Sequence, residues 1–401
     1  MNILYLCHRI PYPPDKGDKI RSFPQVRHLG ERHRVALVCF VDDPADLQHV
    51  ESLRQWCVSV DAIVRTGRVA RLAGLRGLVD GRSISVAAFD SARLRRAVEA
   101  RIGDADVVTA YSSVMAQYVG PEAGLPRLMD FVDADSEKWR DYAARSAWPA
   151  SWIYTRETDR LGRFEEAVAR DWEHSVFVSE REAQVVRARA PGRPITVLGN
   201  GVDLSFFTPA EGAAEPGRDR RIVFTGAMDY FPNVDGVRHF CDEILPRVRT
   251  AVPDARFAIV GRNPTPAVRR LGSRAGVEVT GTVPDVRPYL RGAAVAVAPL
   301  RVARGAQNKT LEAMASGLPV VCSTAVADGL GVGEAAGIDV ADDPVAFAER
   351  VVALLRDPER RRVAGTRARA HVEQHHRWEN LCTGLEALLV GLVQGRKGAA
   401  Q

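Results

Sequence analysis

Short runs of β-branched and aliphatic residues alternate with longer segments of helical periodicity along nearly the whole chain. This alternation limits the possible folds more than any other feature. Strands separated by helices pair in parallel, and the helices cover the faces of the sheet. Ile3–Cys7, Val35–Phe40, Ala62–Val64, Val107–Tyr111 and Leu128–Val132 read as strands, with helical segments such as Lys19–Gly30 and Asp90–Ile102 between them. A charged helical stretch follows from about Ser136 to Asp171, with Trp139, Trp148, Trp152 and Trp172 in or beside it. Ser175–Val178 and Ile195–Leu198 close this half as strands. Residues 209–220 have the composition of a linker. The alternation then restarts with strands at Arg221–Thr225, Ala255–Val260, Val277–Thr280, Ala294–Pro299 and Pro319–Cys322. Helices are expected at Val234–Val252, Pro266–Ala275, Val286–Gly292, Lys309–Ser316 and Pro344–Arg356, with a last one from about Arg377 to Val393.

Two β/α series of similar length predict an α/β protein with two Rossmann-like domains facing across a cleft, since ligands of such sheets bind beyond the carboxyl ends of the strands. A length of 401 residues suits that division. With 46% hydrophobic and 26% charged residues, the chain is neither disordered nor fibrous. Its net charge of +5 is too small for nucleic-acid binding. The six cysteines lie far apart with no C-x-x-C pair, which predicts buried reduced thiols in a cytoplasmic protein. No run reaches the roughly 18 apolar residues of a membrane span, so any membrane contact is expected to be peripheral, on the inner face of the plasma membrane. Of 55 basic residues, lysine occurs only at Lys16, Lys19, Lys138, Lys309 and Lys397. Each lysine that persists against this arginine bias is a candidate for a specific role.

The segment Arg304-Gly305-Ala306-Gln307-Asn308-Lys309-Thr310-Leu311-Glu312 follows a strand and opens a helix. Gly305 allows close backbone approach. The helix N-terminus offers free N–H groups to an anion, and Arg304 and Lys309 add cationic charge. Glu312 could accept hydrogen bonds from two vicinal hydroxyls such as a ribose presents. A surface loop with a charged helix start has the same composition. Gly226, in the turn after Arg221–Thr225, also suits backbone approach to a phosphate.

Arg304 to Pro319 resembles the nucleotide-sugar signature of family 4 glycosyltransferases. Asn200-Gly201-Val202-Asp203 resembles their interdomain hinge, and Arg377-Trp378-Glu379 resembles the start of their last helix. The resemblance covers essentially the whole chain. It implies a GT-B fold: an N-terminal acceptor-binding domain over 1–205, a nucleotide-sugar-binding domain over 206–376, and a final helix and tail over 377–401 that cross back to the first domain. It further implies transfer from a UDP- or GDP-sugar with retention of configuration, with no cofactor and no bound metal. Two further blocks, His8-Arg9-Ile10-Pro11-Tyr12-Pro13-Pro14-Asp15-Lys16-Gly17-Asp18-Lys19-Ile20-Arg21-Ser22 and Asp130 to Trp139, resemble sugar transferases of exosortase (PEP-CTERM) exopolysaccharide systems.

The chain departs from the broad family in two places. The family has two glutamates eight positions apart; Glu312 matches the second, but Arg304 stands at the first. Basic residues usually found after the first strand of the second domain are replaced by Met228-Asp229-Tyr230, and Arg304 and Lys309 are expected to supply that charge. The resemblance makes the segment around Gly17 the loop over the donor diphosphate, with Gly17 and Lys19 on the donor and His8, Lys16, Arg21 and Lys138 on the acceptor side. Asp133 and Asp135 lie where many relatives carry a histidine. They could orient or deprotonate an acceptor hydroxyl, or cap a helix together with Ser136. A metal role for this Asp-x-Asp is discounted, because Asp104-Ala-Asp106 shows that the triplet arises here by chance.

Residues 65–101 carry nine arginines against Asp80, Asp90 and Glu99. Leucines and valines interleave with Arg65, Arg68, Arg71 and Arg76. Such a stretch suits either an anionic membrane surface or a solvated helix face. Taken together, the expected activity is sugar transfer to a glycan or polyprenyl-linked acceptor, with Arg304, Lys309, Asp133 and Asp135 as the reactive groups. A nucleotide-sugar epimerase of the same fold and a silent glycan-binding protein are the alternatives.

Overall fold

The computed structural model describes residues 1–15, 17–67, 74, 77–78, 80–209 and 220–399, and side chains up to residue 396. Lys16, the Lys397 side chain, Arg68, Arg71 and Arg76 of the basic stretch and the 210–219 linker lie outside the described residues. The chain divides into two units, Met1–Leu198 with Glu379–Gln401, and Gly199–Trp378.

The first unit holds a seven-stranded parallel sheet. Its strands are β1 (Asn2–Cys7), β2 (Arg34–Val41), β3 (Ser59–Val64), β4 (Val107–Tyr111), β5 (Arg127–Val132), β6 (His174–Phe177) and β7 (Ile195–Val197), in the order β3-β2-β1-β4-β5-β6-β7. The order reverses between β1 and β4, where Leu4 lies opposite Ala36 on one side and Val108 on the other. Central strands covered on both faces are apolar throughout rather than alternating. β1 divides its side chains by parity: Leu4 and Leu6 join one core with Phe40, Met129 and Leu161, while Ile3, Tyr5 and Cys7 join the other with Leu37 and Leu128. The helices that concern the site are α1 (Gly17–Gly30), α2 (Asp135–Ala143), α3 (Ala150–Asp171) and α4 (Glu180–Arg189).

The second unit holds a six-stranded parallel sheet in the order β10-β9-β8-β11-β12-β13. The strands are β8 (Arg221–Thr225), β9 (Arg256–Val260), β10 (Val277–Gly281), β11 (Val295–Ala298), β12 (Val320–Cys322) and β13 (Ile338–Val340). Its order reverses between β8 and β11. Helices α5 (Phe231–His239), α6 (Asn308–Ala315), α7 (Pro344–Arg356) and α8 (Pro358–His375) flank it. The last helix, α9 (Trp378–Ala399), packs Leu385 and Leu389 into the core of the first unit.

Four elements differ from expectation. The helix expected over Val234–Val252 starts at Phe231 and passes through a wider π-type turn at Phe240–Ile244. Pro246 has no N–H to donate one turn back, which is where the ladder widens. The stretch from Ser136 to Asp171 is two helices, broken before Pro149. Strand β13 and helix α8 were not expected: the first has three residues and the second is polar around most of its surface. All six cysteines are buried and unpaired.

Two motifs distant in sequence meet inside the second unit. The Val202 N–H donates to the His376 carbonyl at 2.8 Å, and the His376 ring Nδ1 lies 2.8 Å from the Asn200 carbonyl. A Cβ on Gly201 would fall 2.6 Å from the Trp378 ring and 2.9 Å from its backbone nitrogen. Only glycine fits there.

Candidate active site

In the second unit, the site grows from the strand ends on either side of the β8/β11 reversal. β8 runs into Gly226, whose φ of 155° places it where L-residues rarely go. Its N–H donates to the Val260 carbonyl at 3.0 Å. A Cβ here would lie 2.7 Å from Asn233 Nδ2 and 3.6 Å from Lys309 Nζ. Asn233 is fixed at the start of α5 by donating to the Ala227 carbonyl at 2.9 Å, and its Oδ1 accepts from the Lys309 ammonium. Lys309 also stands 4.6 Å above the Phe224 ring. Lys309, on the first turn of α6, thus places its ammonium beside the turn after β8.

After β11, Gly305 takes a left-handed φ of 59°, and its carbonyl packs so closely on Gly329 that a Cβ there would lie 2.4 Å away. Gln307 caps α6 by position, while its side chain donates to the Arg304 carbonyl at 2.9 Å. The N–H groups of the first turn of α6 are therefore not taken by a capping side chain. Asn308 accepts from Asn200 at 2.8 Å, tying the hinge motif to this helix. Ala306 and Arg304 are half-buried in the same loop. Burial pushes the Lys309 ammonium down to about 7, with Glu312 opposing, and pushes Glu312 up to about 7, with Lys309 opposing. An open cavity of about 810 Å³ lies beside this region, lined by Asn263, Pro264 and residues 277–282 of β10 and its exit. It adjoins β9, the neighbour of β8.

The first unit has a corresponding arrangement at the β1/β4 reversal. His8 follows β1 and stacks on Tyr111, the last residue of β4, with centroids 5.7 Å apart and 7° between planes. Its Nε2 lies 3.2 Å from Asp18 Oδ2, and its Nδ1 is closed from solvent with no hydrogen-bond partner. Burial alone would raise the Asp18 carboxyl, but the hydrogen bond and charge of His8 and the charge of Arg9 hold it well below the usual range. Gly17, exposed, opens α1 one residue earlier.

Lys19 and Arg21 take a different part from the one expected of them. Lys19 is 1% exposed, with Asp46 at 2.9 Å and Asp15 at 3.5 Å. Arg21 is 2% exposed and pairs with Asp130 at 3.1 Å; Gln25 bonds the same carboxylate and Tyr5. These cations are built into the core as ion pairs and offer no free face to a phosphate or an acceptor.

Asp133 and Asp135 stand where β5 gives way to α2. Asp135 is the first residue of the helix and Ala134 its cap, so Asp133 lies outside it. Asp133 Oδ1 is closed from solvent without a hydrogen-bond partner. Burial, then Glu182 and Asp135, push the Asp133 carboxyl up to about 8 against Lys138 and Arg21. Glu182 itself accepts from the Ala134 N–H at 2.9 Å. Lys138 is half-buried on α2. Among the described residues, no three His, Cys, Asp or Glu side chains gather as a metal site. Sequence reasoning missed Asn233, Phe224, Asp18 and Tyr111. Asn233 follows a proline at a helix start and carried a weak signal; the others are ordinary core or turn residues by type.

Residues 219–357 match the family described as Glycosyl transferases group 1. A GDP-mannose-dependent monoacylated alpha-(1-6)-phosphatidylinositol monomannoside mannosyltransferase from Corynebacterium glutamicum is 30% identical over 199 residues, 45% of this chain and 52% of that protein. The chain thus matches about half the length of that curated relative. The structure is similar to sucrose-phosphate synthase from Thermosynechococcus elongatus, with a TM-score of 0.71, 16% identity, and 98% of this chain and 100% of that chain covered. It is also similar to Anabaena HepE in complex with UDP, with a TM-score of 0.68, 14% identity and the same coverage. These likenesses establish the fold as GT-B: two Rossmann-like α/β domains.

Proposed function

We propose that this protein transfers a sugar from a nucleoside diphosphate donor to a hydroxyl of a glycan or lipid-linked acceptor. The observation that carries this reading is the grouping of Gly226, Asn233, Lys309 and the open first turn of α6 at the β8/β11 reversal. It lies within the region that matches Glycosyl transferases group 1. A diphosphate needs cationic charge and unengaged N–H groups, and this point of the sheet supplies both. Glu312, half-buried two turns from the loop glycine, suits the ribose hydroxyls. The cavity along β10 suits the base, and the UDP carried by the similar HepE structure is consistent with a uridine donor.

In the transfer, the bond from the anomeric carbon to the diphosphate breaks and one to the acceptor oxygen forms. Lys309, Arg304 and the α6 N–H groups meet the charge developing on the departing diphosphate. No metal is needed for that step, and the acceptor enters on the face the diphosphate leaves, retaining configuration. The acceptor's proton passes to a phosphate oxygen of the leaving group, while Asp133, neutral below about pH 8, orients the acceptor hydroxyl. His8 and Lys138 are the other acceptor-side contacts, and the loop at Gly17 lies over the donor diphosphate. The lipid acceptor in the name of the Corynebacterium relative favours a lipid-linked acceptor in cell-surface glycan or exopolysaccharide synthesis, carried out at the cytoplasmic side of a membrane.

The test is to incubate the protein with UDP- and GDP-sugars, with and without glycan and lipid-linked acceptors, and to follow the free diphosphate and the sugar products. Transfer that needs an acceptor and drops by about 10²–10³ in Lys309→Ala supports the reading. Isomerised donor without acceptor indicates an epimerase, and binding without turnover indicates a silent glycan-binding protein.

A further inference from the structure

Of the nine arginines in the basic stretch over 65–101, Arg68, Arg71 and Arg76 lie outside the described residues, and Arg65, Arg82, Arg95 and Arg101 are paired with carboxylates; another surface of the first unit carries the exposed aromatic residues. Trp148 is 81% exposed and Trp152 59%. The other four tryptophans, Trp56, Trp139, Trp172 and Trp378, are half-buried or buried. Trp148 lies just before the start of α3 and Trp152 in its first turn, four positions on, at the corner where α2 gives way to α3. The corner does not need them for its own packing. Trp139, Tyr142 and Tyr154 hold the two helices together from within, with Trp139 5.9 Å from Tyr142 and 5.3 Å from Tyr154.

Charge on this corner is one-sided. Between residues 138 and 163, Arg140, Arg145, Arg160 and Arg163 are exposed, and Asp159 is the one exposed carboxylate. Arg140 is bonded to the buried Glu137, which leaves its outer edge in water. Arg156, a further turn along from Trp152, donates to the Gly77 carbonyl at 2.7 Å and to the Arg82 carbonyl at 3.2 Å. It thereby ties the helix to the backbone at Gly77 and Arg82, within the basic stretch.

Exposed indoles on a segment whose exposed charges are mostly arginine match the chemistry of a lipid headgroup layer, where the ring sits at the apolar boundary and the guanidinium meets phosphate. We propose that the α2–α3 corner seats the protein on an anionic membrane surface. Trp148 and Trp152 enter the headgroup layer, and Arg145, Arg160 and Arg163 contact lipid phosphates. This rests on the reading of the acceptor as lipid-linked.

The test uses the full chain and vesicles of phosphatidylcholine with or without phosphatidylglycerol, in flotation at low and high salt. Binding to the anionic vesicles is expected, falling with salt. The Trp148→Ala/Trp152→Ala variant should bind about tenfold more weakly or less, and Arg145→Glu should weaken binding in the same direction. Circular dichroism checks that each variant is folded, and UDP-sugar hydrolysis in solution should be unchanged. The proposal is overturned if the protein ignores anionic vesicles, or if the double variant floats as well as the parent. It is also overturned if the tryptophans prove to govern binding of a soluble oligosaccharide and not of vesicles. Transfer to a soluble acceptor without vesicle binding would sink this inference and spare the transferase reading; vesicle binding without transfer would do the reverse.

Discussion

Lys309 meets the Asn233 carbonyl oxygen, the Phe224 ring and the turn at Gly226 together, and burial has brought its ammonium down to about 7. Raising the pH through that point strips the proton from the free protein, so affinity for UDP or GDP should fall as pH rises above about 7. Calorimetric titration on either side of that pH checks it; flat affinity would remove Lys309 from the diphosphate contact. Lys309→Arg keeps the charge at all pH values but puts a planar fork where a compact ammonium fits between Gly226 and Asn233. It should bind the donor more weakly and with little pH dependence. Asp133 titrates in the opposite sense. Its carboxyl is raised to about 8, so its contribution to stability is intact below the ordinary carboxylate range and is lost as pH rises through about 8. Glu165, also raised to about 8 by burial, acts in the same direction. Asp133→Asn should therefore flatten part of the loss of stability as pH rises from the ordinary carboxylate range to about 8, seen as a smaller drop in Tm between mildly acidic buffer and about pH 8.

Nearly every strand was legible in the sequence, because each is a short apolar run between turn residues and the sheets bury both faces of their central strands. The misses have local causes. β13 is only Ile-Asp-Val, and α8 carries too few apolar residues to show a stripe. The hinge shows the opposite case. Asn200-Gly201 and Arg377-Trp378 are short motifs whose meaning is their meeting, and only the contact of Gly201 with Trp378 explains the glycine. Gly201→Ala should cost about 1–3 kcal/mol by overpacking. Denaturant unfolding measures it, and an unchanged midpoint would show that Trp378 moves aside freely.

On the scale of the whole molecule, the chain leaves the first unit after Leu198 and returns to it at Glu379. The returning helix buries Leu385 and Leu389, and Glu386 lies 2.8 Å from His28 and 2.9 Å from His33. Leu389→Ala should destabilise the first unit by about 2–5 kcal/mol, read from thermal unfolding with a probe in that unit. Burial would raise the Glu386 carboxyl, but its hydrogen bonds to the two histidines hold it below its usual value. That stabilisation is present above the ordinary carboxylate pKa and is lost as pH falls through the lower one.

The order of apolar runs and turn residues was enough to determine a two-domain parallel α/β chain, because periodicity and burial are local properties of sequence. The motif around Lys309 and Glu312 was legible for the same reason: a strand, a glycine loop and a helix start follow one another directly. Which charges remain available was decided by the tertiary structure alone. Lys19 and Arg21 read like Lys309 in sequence, yet Arg21 meets a carboxylate 109 positions away and Lys19 one 27 positions away, and both disappear into the core. Lys309 hydrogen-bonds an amide beside an aromatic face and a glycine turn instead, with Glu312 of its own helix as the nearby carboxylate. A cation's function depends on what the fold places beside it, and those neighbours come from parts of the chain that no local pattern connects.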